Sequence, residues 1–192
     1  MTKGRLEAFT DGVLAIIITI MVLELKVPQG GGFEDLIPVL PVFGSYILSF
    51  IYLAIYWNNH HHMMQTVKHV TGSTLWANMH LLFWLSIIPF ATGWMGENHF
   101  TKASVFLYGV VLLLAAIAYW ILQRIILKSH GEESLLAKAL GKDIKGKISP
   151  FLYFIGIIGS FFNVYISGAM FIVVAIIWLI PDRRIERILK SE

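Results

Sequence analysis

The 192-residue chain contains no cysteine, which removes disulfide frameworks, thiol nucleophiles and cysteine metal sites together. Charge is scarce as well: 14% of residues are charged and 57% are hydrophobic, where soluble domains carry roughly 25% charge and about 45–50% apolar residues. That balance excludes an ordinary soluble domain and predicts an all-α integral membrane protein with one compact domain over residues 1–192. Proline is sparse at six residues. None lies in the first apolar run, which also lacks a central glycine. A discontinuous helix of the transporter kind is therefore not expected there.

Apolar runs of spanning length lie at about 8–25, 36–57, 74–95, 103–127, 148–166 and 168–180, followed by a polar tail at 181–192. Roughly 20 residues cross a ~30 Å hydrocarbon core, so six transmembrane helices are expected, with the last boundary near Tyr165–Gly168. Of 15 lysines and arginines, all but Lys26 and Lys102 fall on one side of that topology. The positive-inside rule then puts both termini in the cytoplasm and the protein in the cell membrane. Lys3 and Arg5 before an apolar run mimic a signal peptide, but Asp11 inside the run and LELKVP after it argue against cleavage. Leu135, Leu136, Ala139 and Leu140 recur at helical spacing among lysines, predicting a short interfacial helix. HHHMMQTVKH is expected in the second loop. Gly156-x-x-x-Ser160 suits close helix packing.

The first run carries the chemistry. Charge is absent between Asp11 and Glu24. At 100° per residue, Ala8, Gly12, Ile16, Thr19 and Leu23 share one stripe with Ile20 at its edge. Such a stripe is commonly a lipid-facing or core surface. Two features favour a pore wall instead. Carboxylates bracket the dry run, and charge inside a membrane costs roughly 2.5–3.5 kcal/mol at a helix centre. A hydrophobic constriction can also gate by dewetting. Asp11 and Glu24 lie off this stripe. Thr19 has the alternative of a back-bond to the Ala15 carbonyl. Arg5 and Asp11 lie about 120° apart and need partners elsewhere.

Several motifs carry a resemblance. Arg5-x-x-x-Phe9-Thr10-Asp11, followed by Gly-Val-x-Ala-Ile, resembles the opening of the first helix in the transmembrane protein 175 family of potassium channels. Thr10 stands where that family usually has serine. Trp57-Asn-Asn59-His60-His61, Leu75-Trp76-Ala-Asn78 and Ile88-Pro89-Phe90-x-Thr92 resemble its patterns in helices two and three. The likeness covers roughly the first half of the chain.

The resemblance implies six helices per repeat and, for a single-repeat prokaryotic member, a homotetramer with four first helices around the pore. The constriction maps to Ile16, Ile20 and Leu23, with Thr19 in the ring linked to selectivity. Arg5, Phe9, Thr10 and Asp11 would form a polar network near the cytoplasmic end. Trp57, Asn59, His60, His61, Trp76 and Asn78 are its candidate partners. No stretch resembles a TVGYG carbonyl filter, so selection would rest on partial dehydration at an apolar ring.

Alternative readings are a secondary or proton-coupled transporter using Asp11 and the histidines, and a membrane enzyme built on His60, His61, His62, His69 and His80. Adjacent histidines diverge by about 100° on a helix, which disfavours convergence on one metal. Gly141–Lys147 resembles a phosphate-binding loop but has isoleucine where magnesium needs Ser or Thr. A potassium channel, not an enzyme, is expected. Its ligand is potassium held transiently in the pore, with no cofactor or structural metal. Its partners are the lipid bilayer and copies of itself, not nucleic acid.

Overall fold

The computed structural model describes residues 2–131, 134–140 and 143–179. The predicted tail at 181–192 and part of the basic cluster, including Lys138's side chain, Lys142 and Arg183, lie outside what is described. Within these residues the chain is all α-helical: α1 (Lys3–Leu23), α2 (Leu40–Gln65), α3 (Gly72–Glu97), α4 (Lys102–His130), α5 (Leu135–Leu140), α6 (Ile144–Phe162) and α7 (Val164–Leu179). A 3-10 turn at Phe33–Val39 leads into α2. Gly32 N donates to Asp35 Oδ2 at 2.9 Å to open that turn. Pro41 sits in the first turn of α2, where a missing N–H is harmless.

Four stretches are long and apolar enough to cross a bilayer: Lys3–Leu23, Phe33–Gln65, Gly72–Glu97 and Lys102–His130. The apolar α7 is shorter, and α6 begins among Lys145 and Lys147. The protein is thus a multi-pass membrane protein. At about 1.5 Å per residue, the 21 residues of α1 match a ~30 Å core.

The helices depart from the apolar runs at their ends. α1 starts at Lys3 rather than near residue 8, because Lys3, Arg5, Leu6 and Glu7 are good helix formers that apolarity does not flag. α2 runs to Gln65, not 57, so His60–Gln65 form its last turns rather than a loop. His60, Met63 and Met64 are buried there. The last boundary falls at Asn163, in extended backbone, and not at Tyr165–Gly168. Asn163 Oδ1 accepts from Tyr165 N at 2.9 Å and starts α7.

α3 packs on α1, α2 and α4, and α6 joins α4 to α7. α1 therefore flanks the bundle against α2 and α3. Close approach is secured by small residues: a Cβ on Gly156 would meet the Phe171 ring at 2.6 Å, and Ser167 Oγ donates to the Gly156 carbonyl at 2.7 Å. Phe171 closes the core between α4 and α6, under Tyr52, whose hydroxyl donates to the Phe171 carbonyl at 2.6 Å.

Candidate functional site

α1 has two faces of different fate. Leu6, Thr10, Leu14, Ile17 and Met21, spaced three and four residues apart, are buried against the rest of the chain. The opposite stripe stays open. Ile16 is 59% exposed and Leu23 81%, and Ile20 and Thr19 are exposed as well. The four residues expected to form a ring thus lie together on the uncovered side of α1. Thr19 Oγ1 donates to the Ile16 carbonyl at 2.8 Å. The back-bond is to the residue three before, not to Ala15. Ile16 and Ile20 also border an open groove of about 580 Å³ shared with Phe90 and Trp94 of α3.

Below this stripe, α1 is pinned by a chain of polar side chains. Asn78 Nδ2 donates to Thr10 Oγ1 at 2.9 Å. Its Oδ1 faces His60 Nε2 at 2.8 Å. The amide turns its NH2 to Thr10 and its oxygen to His60, and an amide oxygen only accepts, so the imidazole carries its proton on Nε2. All three side chains are buried. Trp57 Nε1 donates to Asp11 Oδ1 at 2.9 Å, outside that chain and exposed. His61 stacks on Trp57 at 6.0 Å and bonds Gln65 at 2.9 Å. Lys3 Nζ adds a contact to the Gln65 carbonyl at 3.2 Å, which no motif signalled.

Other candidates stay apart from this network. Asn59 returns its Nδ2 to the Ile55 carbonyl of its own helix at 2.8 Å, and its carbonyl accepts from Tyr119 of α4. Trp76 is 79% exposed, and Phe9 is also exposed. Arg5 makes no hydrogen bond or ion pair among the described residues. The three adjacent histidines do not converge: His60 faces Asn78, His61 faces Trp57, and His62 Nδ1 is buried with no partner among the described residues.

Two features lie outside the sequence motifs or inside them without a role. At the far end of α1, Lys26 pairs with Glu97 at 2.6 Å. That carboxylate, through its hydrogen bond and then its charge, raises the Lys26 pKa above the ordinary lysine value. Within the bundle, Ser49 Oγ meets Thr92 Oγ1 at 2.7 Å and Tyr108 OH at 3.0 Å, while Ser45 Oγ donates to the Thr92 carbonyl at 3.2 Å. Pro89 lies inside α3 just before Thr92 and removes one backbone donor there. Thr92 Oγ1 donates to the Ile88 carbonyl at 2.7 Å. The serine and threonine hydroxyls fasten α2 to α3 across this stretch.

Comparison with known proteins bears on this arrangement. Residues 5–89, which include α1 from Arg5 onward and the polar chain, match the family model described as "Endosomal/lysosomal potassium channel TMEM175". A potassium channel from Chryseobacterium sp. (strain P1-3) is 59% identical over 191 residues, covering 100% of both chains. A potassium channel from Chamaesiphon minutus is 29% identical over 188 residues, 90% of this chain and 91% of the relative. The crystal structure of a lysosomal potassium-selective channel TMEM175 homolog from Chamaesiphon minutus superposes with a TM-score of 0.82 at 28% identity, over 94% of this chain and 97% of that one.

Proposed function

The chain belongs to the TMEM175 family of potassium channels, and on that footing we propose that it conducts potassium through a pore lined by α1 of four identical subunits. The observation that carries this reading is the division of α1 into a buried stripe and an uncovered one. A helix that only anchored the bundle would have no need of a hydroxyl among its uncovered residues. Ile16, Ile20 and Leu23 form the narrow apolar ring, and Thr19 supplies the one hydroxyl among them. The Thr19 proton is already engaged by the Ile16 carbonyl, so its oxygen lone pairs remain to face a passing cation. Potassium sheds water more readily than the smaller sodium and crosses such a ring more easily.

In this reading α1, α2, α3, α4, α6 and α7 all cross the membrane, with both termini on the basic, cytoplasmic side of the cell membrane. α5 lies at the interface. Asp11, Trp57, Thr10, Asn78 and His60 hold the angle of α1 and do not contact the ion. No cofactor takes part. The test is flux in proteoliposomes: purified protein passes potassium down its gradient with no co-substrate and no added metal, and passes sodium more slowly. A requirement for a counter-transported solute would overturn the channel in favour of a transporter.

A further inference from the structure

A second cavity, of about 360 Å³, lies among α2, α4, α6 and α7, and no residue of α1 or α3 lines it. It is separate from the pore stripe in both position and chemistry. Its size lies within the range of small-ligand sites, roughly 300–1,000 Å³. The walls are aromatic and apolar, among them Tyr52, Trp120, Tyr153 and Trp178. They come from the C-terminal halves of α2, α4 and α7 and the N-terminal end of α6, which is the end of the bundle where the basic residues gather.

Two polar groups open into this space without a partner. Gln123 is only 7% exposed, yet its amide makes no hydrogen bond among the described residues. The Tyr56 hydroxyl makes none either. Its amide atoms border the cavity and so stand free to meet a ligand that supplies an acceptor. At the mouth, Lys147 is exposed beside the opening. Arg124 sits over the Trp120 ring at 5.4 Å and Lys145 over the Trp178 ring at 6.0 Å. Among the described residues the one acidic residue lining it is Asp143, which accepts from Gly146 N at 3.2 Å and caps α6.

We propose that this cavity binds an anionic phospholipid, with one acyl chain among the aromatic walls, its ester carbonyl on the Gln123 amide and its phosphate at Lys147. Basic pockets between membrane helices recognise anionic headgroups, and Trp120 and Trp178 fix the depth at the headgroup interface. A zwitterionic lipid offers the same carbonyl, but its ammonium meets the basic rim.

The test titrates the full-length protein in detergent with phosphatidylglycerol, phosphatidylcholine or free fatty acid, each brominated on the acyl chain. Quenching of Trp120 and Trp178 reports occupancy, and a Trp120→Phe, Trp178→Phe chain gives the background from the other tryptophans. Saturable quenching is expected, with phosphatidylglycerol bound about fivefold more tightly than phosphatidylcholine, as one surface lysine supplies. Gln123→Leu weakens both lipids about tenfold. Lys147→Glu, on an exposed position, removes the preference for the anionic lipid and serves alone if the buried variant fails to fold. Equal binding of both headgroups, tighter binding of the free fatty acid, or quenching that never saturates would each overturn the proposal. So would binding unchanged in every variant that folds. Potassium flux through the pore is read separately in the same variants, so the outcome for this cavity does not depend on the pore assignment.

Discussion

Asn78 on α3 and Thr10 on α1 are joined by a 2.9 Å hydrogen bond, with Asn78 fully buried (0% exposed). The same amide accepts from His60 of α2, so one side chain ties three helices. Asn78→Leu keeps much of the volume but strands the His60 N–H and the Thr10 hydroxyl. A buried donor left unmet costs about 1–3 kcal/mol, so the unfolding midpoint in detergent should drop clearly. Thr10→Ser keeps the hydroxyl and should stay close to the parent. An Asn78→Leu chain that melts with the parent would mean the polar chain does not hold α1.

The ring residues should behave in the opposite way. Ile16 and Leu23 touch little within the chain, so Ile16→Asn and Leu23→Ala should leave the fold of the subunit intact while changing permeation. Ile16→Asn places an amide in a dry constriction and should raise sodium flux relative to potassium. Thr19→Val removes a hydroxyl bonded only to its own helix, so its effect on helix packing is small and a changed ion preference reports on the ring itself. An unaltered potassium-to-sodium preference across Ile16, Thr19, Ile20 and Leu23 variants would sink the pore assignment.

Helices were legible in the sequence wherever apolarity ran unbroken, and lost where it did not. Asn58–His62 interrupt the apolar run of α2, yet the backbone continues, because His60 and Asn59 find hydrogen bonds inside the protein. That Ile16, Thr19 and Leu23 share one face of α1, with Ile20 at its edge, follows from the helical period alone; that this face is left uncovered does not. Which asparagine reaches α1 does not follow. Asn59 and Asn78 look equivalent in the motifs, yet the Asn59 amide turns back to the Ile55 carbonyl of its own helix while Asn78 reaches across to α1. The Gln123 cavity is illegible for the same reason: its walls come from four helices far apart in sequence, and no local pattern marks a void.

The Lys26–Glu97 pair gives a pH signature just past the C-terminal end of α1. Because the carboxylate raises the Lys26 pKa, the pair contributes below the ordinary lysine value of about 10.4 and fades as pH rises through the raised one. Lys26 is exposed (83%, against 45% for Glu97), so the effect is small and screened by salt. Between pH 8 and 11 the parent midpoint should fall slightly more steeply than that of Glu97→Gln, and added salt should bring the two curves together. Parallel curves at low salt would show that the pair contributes nothing.

In the proposed ring of four, Arg5 and Asp11 are the charges left to meet a neighbouring subunit. Neither meets an opposite charge among the described residues: Arg5 has no partner, and Asp11 has only the Trp57 indole. A guanidinium kept near a bilayer without a counter-charge is unfavourable, and in a ring of four subunits a neighbouring carboxylate can meet it. Arg5→Gln and Asp11→Asn should therefore weaken association while sparing the subunit fold, since the Thr10–Asn78–His60 chain is untouched. Cross-linking in native membranes should give a ladder ending at four copies for the parent and a shift toward smaller species for both variants. Restoration of the four-copy band when the two charges are exchanged (Arg5→Asp with Asp11→Arg) would place the pair across the subunit boundary. A parent that cross-links only as a monomer would remove the ring altogether, because one copy of α1 cannot enclose a pore.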